Sequence, residues 1–82
     1  MNDRQAAYRA FAEAEKAATK ALDVLMAKAA TVVVLAATEG QDGDDMVFHL
    51  VSQGLPAIER CRHEMGEVRC DVDSVRMRWS QA

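Results

Sequence analysis

LPAIERCRHEMGEVRCDVDSVRMRW, residues 55–79, is the stretch from which the fold can be read. Its apolar side chains stand at Ile58, Cys61, Met65, Val68, Val72, Val75 and Trp79, at alternating steps of three and four. That is the a/d pattern of a heptad repeat, and it gathers all seven on one stripe of a helix. A helix over this span is about 37 Å long at 1.5 Å per residue. Pro56 suits a first-turn position, where its missing N–H costs nothing. The stripe predicts a long helix lying against a partner helix.

Towards the N-terminus, residues 3–30 predict such a partner. Eleven of the twenty-five residues from Ala6 to Ala30 are alanine, the best helix former. Tyr8, Phe11, Ala18, Leu22, Leu25, Ala29 and Val32 line one face at helical spacing, interrupted only by Glu15. Arg9, Glu13, Lys16, Lys20 and Asp23 lie opposite, with Glu13–Lys16 and Lys20–Asp23 in i,i+3 reach. Asn2 or Asp3 can cap the start.

Between the two stripes the reading divides. Residues 31–37, TVVVLAA, are rich in β-branched side chains, which favour a strand. A short apolar run cannot be typed by periodicity alone. As helix, the run extends the first helix to about Thr38; as strand, Val32–Ala36 pairs with Met46–Val51. Helix is preferred because Val47, Phe48, Leu50, Val51 and Leu55 fall at helical spacings. Residues 39–45, EGQDGDD, break both patterns and form a loop. Asp44 or Asp45 caps a short helix over 46–53, with Gly54 as its C′ residue.

The expected architecture is all-α: a long antiparallel helical hairpin with a short middle helix, one domain over residues 1–82. One hairpin covers only one side of the first helix, whereas Val32, Val33, Val34 and Leu35 point in every direction. A two-fold homodimer joined through these four residues, forming a four-helix-like bundle, is therefore expected.

Composition narrows the function. A chain of 82 residues with 5% aromatics builds only a modest core and often needs a second subunit. The net charge is −3, from 10 basic and 13 acidic residues. All the excess sits in residues 31–54, which hold Glu39, Asp42, Asp44 and Asp45 and no basic group. Without a basic block, binding to a nucleic-acid backbone is disfavoured. The start, MNDRQ, is polar and lacks a following apolar h-region. The longest apolar run, Ala29 to Ala37, is short of the ~20 residues that span a bilayer. A cytosolic chain with no membrane segment is expected. Cys61 and Cys70 lie about 13 Å apart along one helix, beyond the roughly 7 Å a disulfide allows.

No motif carries catalysis. Asp42, Asp44 and Asp45 offer hard oxygens, but not in calcium-loop order, so they read as a solvated turn with caps. His63 and Glu67 share a helix face, while Cys61 lies on the apolar stripe, so Cys61, His63, Glu64 and Glu67 diverge as zinc ligands. His49 reads as a half-buried polar residue. No Ser/His/Asp set or carboxylate pair can be drawn, and no cofactor is expected. The heptad flanks say more. With Ile58 at a, Arg62, Arg69 and Arg76 all occupy e, while Glu64, Asp71 and Arg78 occupy g. Such an arginine row suits the acidic residues of a neighbouring helix. The candidate partner-binding residues are Arg62, Arg69, Arg76, Arg78 and the anchor Trp79, with Asp42, Asp44 and Asp45 on the loop.

Gln53-Gly54-Leu55 with Glu59, followed by Asp73-x-x-Arg76-x-Arg78-Trp79, resembles the C-terminal part of small all-helical anti-CRISPR proteins directed at type I systems. The resemblance spans residues 53–79, with the segment between its two ends longer here by about a heptad. It implies an inhibitor carried by a phage or another mobile element, one that blocks a Cas component by occupying a surface. It implies no catalytic residue. Two other classes stay open. One is a generic helical module of adaptor or antitoxin type. The other is a small all-helical dimeric enzyme of the chorismate mutase kind, which turns several Arg and Lys side chains into its bundle. Here the inner stripes carry Glu15 and otherwise no charge.

Overall fold

A computed structural model describes residues 3–81. Helix α1 runs over Asp3–Thr38, and no strand forms among the described residues. The valine run 32–34 is thus helical: Val33 continues the inner face begun by Leu22 and Ala29, and no strand faces it among the described residues. A glycine closes α1. Gly40 sits at φ +78°, the left-handed conformation glycine adopts without a Cβ penalty. The Gln41 N–H then donates to the Ala36 carbonyl at 2.7 Å and the Gly40 N–H to that of Ala37 at 3.1 Å, a Schellman closure.

Asp44 is the N-cap of helix α2, Asp45–His49, and its Oδ1 accepts from the Met46 N–H at 2.8 Å. Gly54 is not the C′ residue that the pattern predicts. The chain passes through one π turn, Leu50–Gly54, straight into helix α3, Leu55–Gln81. The result is one continuous 37-residue rod in place of a separate middle helix. Pro56 is the physical reason. In an α-helix its ring would meet the Ser52 carbonyl and it would offer no N–H. The wider turn lets the Leu55 N–H donate to the Leu50 carbonyl instead. Gly54 leaves room for this: a Cβ there would stand 2.9 Å from Leu50 Cδ1.

The two rods form an antiparallel hairpin measuring 61 × 19 × 11 Å across its Cα atoms. Two rods lying side by side make it two helices wide and one helix thick. Such a layer has almost no inside. Ala36, 7% exposed, is the sole fully buried residue among those described. The accessible surface is 6437 Å², whereas a compact monomer of 9.0 kDa exposes about 4,850 Å². About 1,600 Å² is exposed in excess of that scaling.

Helix α1 also corrects the run-length argument about membranes. It contains an 18-residue window of mean hydropathy 1.8, long and apolar enough to cross a bilayer by length and composition, with 6% of that window buried in the hairpin. Two features oppose insertion of the hairpin as folded. Asp23 and Lys28 lie in the apolar half of α1, and a charge at mid-bilayer costs about 2.5–3.5 kcal/mol. Asp23 is also ion-paired to Arg62 of α3, a helix carrying charges along its whole length, so insertion requires α3 to detach.

Candidate functional site

The heptad stripe of α3 divides. The a residues Ile58, Met65 and Val72 are half-buried against α1. The d residues Cys61, Val68 and Val75 stay exposed, Val68 at 51% and Val75 at 40%. Two helices in one layer meet along a single seam, which covers one row and leaves the other on a broad face. α1 supplies the same face with small residues. An apolar groove of about 260 Å³ lies among Ala7, Tyr8, Asp71, Val72, Val75 and Trp79. A second of about 260 Å³ lies among Phe11, Ala14, Glu15, Ala18, Met65 and Val68.

The arginine row is engaged within the chain. Arg69 Nε donates to Glu15 Oε2 at 2.6 Å, and Arg62 Nη2 is bound to Asp23 Oδ1. Arg76 lies over the Tyr8 ring, 4.1 Å from its centre, while the Tyr8 hydroxyl donates to Asp73 Oδ1 at 3.2 Å. The hydrogen bond from Arg69 to the Glu15 carboxylate, followed by their Coulomb attraction, raises the Arg69 guanidinium above its ordinary value. Glu15, the lone charge on the inner stripe of α1, is thereby explained: its side chain is 17% exposed and faces an arginine. The neighbouring helix that these e-position arginines suit is α1 itself. They set the register of the hairpin.

The remaining candidates lie at opposite ends. Trp79, 37% exposed, closes the open end, with Arg4 over its ring at 5.5 Å; Arg78 is exposed beside it. Asp42, Asp44 and Asp45 sit at the loop end, about 50 Å away along a helix rising 1.5 Å per residue. One of those carboxylates is occupied in capping. The eight residues therefore do not form one site. Of the four proposed dimer residues, Val32, Val34 and Leu35 are exposed, but Val33 is half-buried on the inner side with Ala29 and Ala36. The exposed apolar surface also includes Met46, Phe48 and Val51 of the second rod, which the loop-centred reading missed.

His63 Nε2 stands 3.6 Å from Glu67 Oε1, both exposed. Among the described residues no group of three His, Cys, Asp or Glu side chains is placed to hold a metal ion. Cys61 and Cys70 are both free and exposed thiols. His49 is exposed, not half-buried. Compared with protein-family models, curated proteins and solved structures, the chain matches none. Of the residues on which the sequence resemblance rests, Asp73, Arg76 and Trp79 all make contacts within the hairpin.

Proposed function

We propose that this protein acts by binding another protein, without turnover or cofactor, in the cytosol and as a homodimer that closes a four-helix-like bundle. One observation carries the reading: a hairpin held in register by ion pairs leaves about 1,600 Å² more surface open than a monomer of its mass does, much of it aliphatic. Exposed apolar side chains such as Leu25, Val32, Leu35, Phe48, Val68 and Val75 make up part of that surface, and apolar patches beyond a few hundred Å² mark interaction sites. Among the described residues neither a ligand cluster nor an unengaged arginine row competes with this reading. A dicarboxylate site of the helical mutase kind would need Arg62, Arg69 and Arg76 free, and each is held by α1. An adaptor or antitoxin-type module fits the same surface.

The finer identity, an inhibitor of a type I CRISPR–Cas complex, rests on the motif resemblance of residues 53–79. Under it, the purified protein blocks target DNA binding or cleavage by a reconstituted type I complex at near-stoichiometric concentration. Full activity of every such complex at a large excess of the protein overturns the inhibitor identity. Thermal stabilisation by a small metabolite would overturn the non-enzymatic reading, because ligand linkage raises the midpoint only of a protein that binds it.

A further inference from the structure

Resting on the reading that this is a protein-binding chain that self-associates, we infer that the d-row face of the hairpin is the docking surface for a second copy. This places the dimer contact on Cys61, Val68 and Val75 of α3 and Ala7, Ala14 and Leu25 of α1; of the valine run only Val32, one heptad beyond Leu25, shares that face, while Val33, Val34 and Leu35 do not.

Area favours a second copy as the occupant. Each chain exposes about 1,600 Å² beyond the compact expectation. The broad face of one hairpin, 61 × 19 Å, has a footprint of about 1,160 Å², so two layers stacked face to face would together bury about 2,300 Å², within the roughly 2,000–5,000 Å² of obligate homodimers. The thickness agrees, since a second layer converts a sheet of two helices into a bundle with an interior.

The face is also complementary to itself. At the open end, Ala7 and Ala14 of α1 line grooves with Val75, Trp79 and Val68 of α3. Towards the loop the sizes reverse: the Asp23–Arg62 pair sets Leu25 level with Cys61, and Ala57 lies one turn further. A two-fold axis along the helices lays the alanine end of one α1 over Val68 and Val75 of its partner. An axis across them lays that end over Leu25 of the other α1. Both put small residues over large ones. Lys28, Glu64 and Asp71 each follow a face residue by three and border the face as a charged rim, the usual anatomy of an interface.

The two cysteines test this directly. Both are exposed in the single chain, but Cys61 lies on the proposed face and Cys70 does not. With Cys61→Ser and Cys70→Ser variants, each thiol's rate with a disulfide reagent is read separately. At concentrations where light scattering gives twice the chain mass, Cys61 should react roughly tenfold or more slowly than Cys70, because it is open only in a minor dissociated population. Dilution to monomer should equalise the rates. Val68→Glu should yield a folded monomer by circular dichroism and scattering, while Met77→Glu, on the opposite side, should remain dimeric. Equal thiol rates within a dimer overturn the inference, as does a wild-type chain that is monomeric at all concentrations or a dimeric Val68→Glu. Monomeric wild-type protein that still inhibits a reconstituted type I complex overturns this inference, and with it the homodimer, but leaves the protein-binding function standing. A dimer with Cys61 protected that inhibits nothing does the reverse.

Discussion

Arg69 Nε meets Glu15 Oε2 at 2.6 Å across the seam between α1 and α3. The contact joins the only charge on the inner stripe of α1 to an e-position arginine of α3. Together with Asp23–Arg62 it holds two otherwise smooth, alanine-rich and valine-rich rods against sliding. Aliphatic stripes of this kind specify that the helices pack; the paired charges specify where.

Charge reversal tests this. Glu15→Lys should lower the thermal midpoint by several degrees, since it sets two cations face to face, and added Arg69→Glu should restore much of the loss. Thermal circular dichroism of the four proteins closes the cycle. Independent, additive effects would show that the pair does not set register. Glu15→Leu is expected to be neutral or stabilising, because it completes the apolar stripe and leaves an arginine that solvent can reach.

The glycines should respond with opposite signs. Gly66 lies inside α3, and a Cβ there meets nothing within 4 Å. Gly66→Ala should therefore stabilise by about 0.5–1 kcal/mol. Gly40 holds φ +78°, so Gly40→Ala should destabilise by about 1–2 kcal/mol. Urea titrations measure both, and a stabilising Gly40→Ala would refute the closure assigned to α1. Nothing in the structure explains why residue 66 is glycine.

The valine run separates the inside from the outside. Val33 is half-buried and Val34 exposed, so Val33→Asp should unfold the loop end of the hairpin, as a buried unpaired charge does. Val34→Asp should leave the midpoint nearly unchanged. Equal damage from the two would mean that α1 is rotated from the orientation described.

Tyr8 does two jobs at the open end. Tyr8→Phe removes only the hydrogen bond to Asp73 and should cost about 0.5–1.5 kcal/mol. Tyr8→Ala also removes the ring beneath Arg76 and should cost clearly more. If the two variants denature alike in urea, the Arg76 contact contributes nothing.

Trp79 should report partner binding. It is more than a third exposed and is the single tryptophan of the chain. Trp79→Ala should cost only a fraction of the about 3–5 kcal/mol typical of a buried tryptophan, while weakening capture of the partner more than any substitution at Met77. Unfolding of Trp79→Ala would assign this side chain to the core alone.

Much of the fold is legible in the residues themselves. The three–four spacing on both stripes demands two long helices, alanine content makes the first persistent, and EGQDGDD demands a break with Asp44 or Asp45 as cap, of which the structure uses Asp44. These are local rules, and each needs only a few neighbouring residues. What required the tertiary structure is every property set by which surfaces meet. Periodicity placed all seven heptad residues on one stripe, but a layer one helix thick has a single seam, so Ile58, Met65 and Val72 are covered while Cys61, Val68 and Val75 are not. Sequence spacing identified an arginine row; only packing decided that its acidic partners are Glu15 and Asp23 of the same chain. The π turn at Leu50–Gly54 likewise accommodates Pro56 within one continuous rod, where local signals alone would end a helix.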